Sequence, residues 1–234
     1  YGINYEHGLF RQVIEGDEQH ERPDSWRLLG SPWLIQHAEK PVSVPVYGRA
    51  ERGPDGAARG RWVDYGVILG VAHDLPVAGF GGKTVNWVRL YSATTADQFD
   101  VGLFNRGDYL RAFERKLSTE SISKILYPSH SHEAGRELRL LQEYFFVACA
   151  VRDILRLYLE THADLAGLPD KVAIQPNDTH PALAVAELVR TLVDEHAVPF
   201  ERAFELTRAT LAFTNHTLLR EALDTWARPL LARV

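Results

Sequence analysis

Two short polar clusters hold the residue types best suited to chemistry in this chain: Asn177-Asp178-Thr179-His180 ahead of Pro181, and Thr214-Asn215-His216-Thr217 ahead of Leu218. Carboxamides, hydroxyls, imidazoles and one carboxylate supply planar donors and acceptors. Such groups line pockets for ligands rimmed with hydroxyls, such as sugars. The same residues have a second use, because Asp178, Thr179 and Asn215 are good helix caps and histidines in such loops serve as interior hydrogen-bond partners. A third polar run, Tyr127-Pro128-Ser129-His130-Ser131-His132-Glu133, places His130, His132 and Glu133 near one another, and these types suit zinc or iron. It has neither the His-Glu-x-x-His spacing nor a cysteine pair, so a solvated loop is expected there and no metal site.

Other signatures fail on spacing. Gly79-Phe80-Gly81-Gly82-Lys83-Thr84 is glycine-rich, but it lacks the interval of a phosphate-binding loop and runs into a strand instead of a helix. No Gly-x-Ser-x-Gly elbow gives a serine nucleophile a foothold. Tryptophans at 26, 33, 62, 87 and 226 have faces that stack on sugars, yet at strand and helix positions they are expected in packing.

The elements that must position the clusters follow from periodicity. Residues 1–33 read as irregular ordered chain, with Pro23-Asp24-Ser25-Trp26 turning into a short helix. Residues 42–47 and 62–71 alternate in polarity around Gly53-Pro54-Asp55-Gly56, which predicts a hairpin, and 85–93 adds a third strand. Helical spacing follows at 107–117 and 118–126. A long helix over 135–161 repeats Leu138, Leu141, Phe145, Ala148, Val151, Leu155 and Tyr158 at intervals of three and four. A β-branched run at 171–175 leads to a helix at 181–196 with proline in its first turn. A helix at 199–208, a short run at 210–213 and a helix at 218–226 complete the chain. This alternation implies a parallel sheet with covering helices. Both clusters fall where a strand ends and a helix begins, the place where open α/β sheets bind ligands and helices offer unpaired amides, so the two loops should face one crevice. No repeat or Gly/Ser linker marks a boundary. Residues 1–95 are therefore read as a strand-rich extension on one α/β domain that continues over 96–234.

Composition bounds the partners. The 234 residues are 45% hydrophobic and 24% charged, ordinary for a soluble chain with a substantial core. A net charge of -5 gives no field for nucleic acid or anionic lipid, so neither is expected as a partner. The single cysteine, Cys149, sits in an apolar run, which excludes an intrachain disulfide and suits a reduced compartment, by default the cytoplasm. No membrane span or signal peptide is legible. A start at Tyr1-Gly2-Ile3 and the lack of any methionine point to a piece of a longer protein.

The segments YGINYEHGLFRQ (1–12), TVNWVRLYSA (84–93), ILYPSHSHEAGRELRLLQEYFFV (125–147), VAIQPNDTHPALAVAELVR (172–190) and AFTNHTLLREAL (212–223) closely resemble the α-glucan phosphorylases of glycogen, starch or maltodextrin, with bacterial-type wording, over residues 1 to about 230. The resemblance implies part of the amino-terminal Rossmann-like domain of a two-domain, GT-B type glycosyltransferase. The implied reaction is phosphorolysis of a terminal α-1,4-glucosidic bond by inorganic phosphate to give glucose 1-phosphate. Pyridoxal 5′-phosphate would be held by a carboxy-terminal domain outside this chain, which itself would hold no cofactor and be inactive alone. The full-length protein would be a homodimer. Residue by residue, the resemblance implies that His216 contacts the transferring glucosyl unit and that Asp178 and His180 line the glucan side. Asn177, Asn215 and Thr217 are carried as neighbouring substrate-binding residues. It further implies that Tyr127 stacks on the acceptor glucan and that Ser129, His130, Ser131 and His132 form a gate loop. Several positions depart from the family's wording. The gate loop usually continues with acidic and amide residues, Pro176 stands where leucine is usual, and Arg220 where proline is usual. Arg156 is followed by Leu157 where animal enzymes carry an arginine pair for a nucleotide activator, so control by AMP is not implied. A non-catalytic carbohydrate-binding or regulatory module derived from the same fold is the alternative reading.

Overall fold

Strands β1 (Gly2–Ile3), β2 (Phe10–Glu15), β3 (Glu18–Pro23), β4 (Ile35–Val46), β5 (Arg49–Ala50), β6 (Trp62–Val63), β7 (Gly66–Ala78) and β8 (Val85–Thr94) precede the helices. These are α1 (Val101–Asn105), α2 (Tyr109–Glu120), α3 (Glu133–Leu159), α4 (Leu168–Lys171), α5 (Ala184–Asp194), α6 (Phe200–Thr210) and α7 (Arg228–Arg233). This computed structural model describes residues 1–7, 10–24, 30–51, 61–96, 99–126, 128–129, 131–220 and 223–234. It is a mixed α/β fold of two units, Tyr1–Ser43 with Val67–Gln142, and Val44–Gly66 with Glu143–Val234.

In the first unit the sheet order is β1-β8-β7-β4. β1 pairs parallel with β8, and β7 antiparallel with it. β7 and β8 lie in the strand-rich part, apart from the alternation at 171–226 that implied parallel pairing, and they run antiparallel because they are joined by a tight turn too short for a crossover. That turn is the glycine-rich run: Gly81 and Gly82 have φ of 76° and 71°, a region closed to most side chains, and Gly79 N donates to Thr84 O at 2.8 Å. Residues 1–33 are not irregular throughout, since β2 and β3 form a hairpin around Gly16-Asp17, with Glu15 opposite Glu18 and Gly16 at φ 65°. The expected helix at 118–126 is also replaced. α2 runs on to Glu120, a 3-10 turn covers Ser121–Ser123, and Ile125 bridges to His7. Fully buried Gln142 holds this stretch by donating to Ile122 O at 3.0 Å and Ile125 O at 2.7 Å. Trp33 and Trp87 are 70% and 56% exposed, which corrects their assignment to packing. Trp26 and the loop at 53–56 lie outside the described residues.

In the second unit Val147, Val151, Leu155 and Tyr158 of α3 meet Ala184, Leu188 and Leu192 of α5 and Ala203 and Leu206 of α6 in one buried cluster. Spacings of three and four put each set on a single helix face. Beside this core, residues 174–178 and 210–214 run parallel, with bridges Ile174↔Leu211 and Asn177↔Thr214. Their backbone bonds are Ile174 N to Thr210 O (2.9 Å), Ala212 N to Ile174 O (2.9 Å), Thr214 N to Pro176 O (3.1 Å) and Asp178 N to Thr214 O (2.8 Å). The alternation calls for one more donor, at position 176, and proline has none. The pairing therefore breaks into two bridges where strands were expected, and Lys171 belongs to α4. No α-helix covers the described residues of the expected helix at 218–226. Arg220 is in a 3-10 conformation and its carbonyl accepts from Leu223 N at 3.1 Å, and among the described residues the next α-helix is α7, where Pro229 sits in the first turn.

Two measurements test these constraints. Replacement Pro176→Leu adds the missing amide, worth about 0.5–1.5 kcal/mol. It also frees the unfolded chain at a cost of about 0.4–1 kcal/mol, so the thermal midpoint should move little while the new amide exchanges slowly with deuterium. Fast exchange at 176 would contradict the ladder. In the first unit, buried Asp74 faces Arg89 across β7 and β8 and accepts from its Nε at 2.7 Å and Nη2 at 2.6 Å, and from His37 Nε2 at 3.0 Å. Hydrogen bonding from Arg89 holds this carboxyl below the usual range against the opposing effect of burial. A depressed folded pKa stabilises above the unfolded value of about 3.9, and that contribution is lost as pH falls through the lower folded value. The gap in thermal midpoint between the native protein and Asp74→Asn should be full at pH 6–7 and close below about pH 4.

Candidate functional site

The end of the ladder joins the two clusters. With Asn177 bridged to Thr214, the exposed His216 ring comes within 2.6 Å of Asn177, Nε2 to Oδ1. A carboxamide oxygen only accepts, so the imidazole donates from Nε2, and Nδ1 is the ring nitrogen left for a ligand. Gln175 supports the second loop from the side by donating to Thr214 Oγ1 at 2.5 Å.

Asp178 turns the first loop. Its φ of 67° is left-handed, a conformation that Asp and Asn tolerate through local hydrogen bonds. Its Oδ1 accepts from Thr179 N at 2.7 Å while its own amide is held by Thr214 O. Thr179 Oγ1 then donates to Asp224 Oδ2 at 3.1 Å, and His180 Nε2 lies 4.0 Å from the same oxygen. Sequence reasoning missed Asp224. An acidic residue in a stretch read as helix carries no signal of its own, and only the irregular path of 215–220 and 223–227 brings it back to the first cluster.

The second loop is stitched to itself. Asn215 donates from Nδ2 to Thr217 O at 2.8 Å and accepts from Thr217 N at 3.3 Å, and Thr217 Oγ1 accepts from Leu219 N at 3.1 Å. Helix capping does not account for either cluster. α5 begins after Leu183, with no side-chain cap bond, and among the described residues no α-helix follows Asn215 until α7. The clusters are turns, with side chains spent on backbone geometry, bonded to other side chains or left to solvent.

Of the third polar run, Tyr127 and His130 lie outside the described residues. Ser129, Ser131 and His132 belong to the first unit. Ser129 and Ser131 share a hydrogen bond of 2.7 Å between their hydroxyls, and His132 O accepts from Arg136 N at 3.1 Å in the first turn of α3. Gly135 lets this loop pass: a Cβ there would stand 1.8 Å from Ser129 O, well inside contact.

Thr179 and Asp224 also border a groove of about 990 Å³ in the second unit, whose apolar walls include Val185, Val189, Phe200, Phe204 and Trp226. Trp62 lines it too. This ring stands edge-on to Tyr144 at 6.0 Å, with the Arg190 guanidinium 5.6 Å from its centroid. Burial raises the Tyr144 hydroxyl pKa, and the Glu187 charge adds to it.

A sequence model of the carbohydrate phosphorylases matches residues 1–234. Glycogen phosphorylase of Synechocystis sp. is 44% identical over 232 residues, 98% of this chain and 27% of that protein. Glycogen phosphorylase of Chlamydia pneumoniae is 42% identical over 238 residues, 100% of this chain and 29% of that protein. The brain form from Homo sapiens is 44% identical over 234 residues, 97% of this chain and 27% of that protein. The chain thus spans 27–29% of the length of these relatives.

The left-handed turn at Asp178 sets an expectation for stability. Asp178→Asn should leave the thermal midpoint nearly unchanged, since asparagine tolerates the same conformation, whereas Asp178→Ala should cost about 1–2 kcal/mol. Equal midpoints for the two variants, measured by thermal denaturation, would refute the strain argument.

Proposed function

The chain belongs to the carbohydrate phosphorylase family, and on that premise we propose that it forms part of an α-1,4-glucan phosphorylase, contributing sugar-binding residues to a site completed by the rest of a longer protein. The reaction is phosphorolysis. Inorganic phosphate takes the terminal glucosyl unit as glucose 1-phosphate, and the glucan leaves one residue shorter. The observation that carries the reading is the coupling of the two clusters, with His216 and Asn177 in hydrogen-bond contact at the end of a parallel pair.

In this reading His216 meets the transferring sugar. Its Nε2 proton is committed to Asn177, which fixes the ring plane and leaves Nδ1 to contact a sugar hydroxyl. Such a contact accelerates the reaction only if it tightens as the glucosyl unit gains oxocarbenium character. Asp178 and His180 bind on the glucan side, with Asn215 and Thr217 holding the loop. Tyr127 and the 129–132 loop are assigned to stacking and gating. Pyridoxal phosphate is anchored through a lysine amine. The described residues of the two clusters and Asp224 include no lysine, so they do not fit that group, which the reading assigns to another part of the longer protein. Among the described residues no helix is long and apolar enough to cross a membrane. The net charge of -5 gives no field that would gather nucleic acid or anionic lipid, and the partners proposed are glucan and inorganic phosphate. For the full-length protein we propose a cytoplasmic homodimer, and residues 1–234 as one partial domain of it.

In the full-length protein His216→Ala should lower kcat/KM by roughly 10- to 1000-fold, about 1.4–4 kcal/mol, with the thermal midpoint little changed. His180→Ala should act chiefly on KM for maltodextrin. Phosphorolysis assayed alongside thermal melting separates the roles, and a His216→Ala enzyme with native kinetics would overturn the assignment.

A further inference from the structure

The first unit holds a polar cavity that the glucan reading leaves unused. Its volume is about 530 Å³, within the range of small-molecule sites. β4, β7 and β8 contribute Gln36, His73 and Ser92 to its wall, and Ser123 comes from the 3-10 turn after α2. Asn4, just beyond β1, completes the polar lining. Asn4 is 2% exposed, His73 7% and Ser123 7%, so these three hydrogen-bonding groups of the lining are buried, while Gln36 at the rim is exposed. The backbone holds them in place. Asn4 N donates to Tyr91 O at 2.8 Å, Asn4 Nδ2 to Ser92 Oγ at 3.2 Å, and Ala93 N to Ser123 Oγ at 3.1 Å. His7 also lines the space, and its Nδ1, shut away from solvent, meets no hydrogen-bond partner among the described residues.

Charge selects the ligand class. Lys124 lies at the cavity but is paired with Glu6 at 3.0 Å, and the other ionised lining residue is Glu120. Among the described lining residues no unbalanced cation remains for a phosphate or a carboxylate. Apart from the apolar Val71 and Ala93, the remaining lining side chains are carboxamides, hydroxyls and imidazoles, which exchange hydrogen bonds in both directions. We propose that this cavity is a second small-molecule site, for a neutral polyhydroxyl ligand of monosaccharide or polyol size. The proposal does not rest on the glucan reading, because no residue of the two clusters takes part in it.

The test is hydrogen-exchange mass spectrometry on the full-length protein titrated with glucose, sorbitol and glucose 1-phosphate. Glucose or sorbitol should slow exchange in segments 91–95 and 120–125 saturably, and glucose 1-phosphate should need at least about a tenfold higher concentration. Gln36→Leu with Ser92→Val should raise the glucose and sorbitol midpoints about tenfold by removing two partners. Gln36 is exposed, so Gln36→Leu alone carries the test if the double variant melts early. Three results would each overturn the proposal: no protection of these segments by either neutral probe, midpoints unmoved in the variants, or glucose 1-phosphate binding as tightly as glucose.

Discussion

The candidate site depends on one short parallel pairing, between residues 174–178 and 210–214. These stretches lie far apart in sequence, and each is too short to persist alone. α5 follows the first and α6 leads into the second, and their apolar faces meet α3 in a common core, so the alignment is set by burial in the helices and only read out by the strand bonds. The consequence is mechanical. A shift of either helix by one turn would carry His216 away from Asn177, which makes the core of the second unit as much a part of the site as the polar residues at its edge.

A second constraint lies in the ionic groups of the second unit. Glu187 is 3% exposed and engages Arg190 through two bonds of 2.7 Å, and Arg190 also reaches Glu195 at 3.0 Å. Arg152 joins Glu195 from α3 through Nη1 at 2.8 Å. Burying such a network gains little net stability over apolar packing, but removing one member strands the others at high cost. Burial alone would lower the Arg190 pKa, yet the hydrogen bonds and charge of Glu187 outweigh it and raise it. The guanidinium is therefore fixed as a cation beneath Trp62, and β6 is tied to α5 by this stacking together with a long bond of 3.4 Å from Trp62 N to Asp194 Oδ2.

Legibility in the sequence tracks how local each signal is. α3, α5 and α6 were readable to within a few residues because apolar spacing records the face a helix buries, and β8 because its strand pattern is uninterrupted. The β2–β3 hairpin carries a Gly-Asp turn but little apolar alternation, with most of its side chains exposed, so the periodicity that marks a half-buried strand is missing. The failure at 218–226 is of another kind. Leu218 and Leu219 are 96% and 62% exposed, so spacing that mimics a helical stripe there buries nothing. Coupling of the two clusters was legible as a consequence of strand order. Asp224 was not, because its place depends on the irregular chain that follows.

A site is defined by what its side chains have left after folding. Asn215 spends both ends of its amide on Thr217, Thr217 spends its hydroxyl on Leu219 N, and Thr179 spends its hydroxyl on Asp224. These residues build loops. His216 keeps Nδ1, and Asp178 keeps Oδ2 after Oδ1 has taken the Thr179 amide. His180 makes no bond closer than its 4.0 Å approach to Asp224 among the described residues. The chemistry facing outward is thus two imidazoles and a carboxylate oxygen, with a carboxamide setting one ring. That set hydrogen-bonds hydroxyls well and holds no fixed positive charge, so it suits a neutral, hydroxyl-rich ligand and supplies nothing to offset the charge of a phosphate.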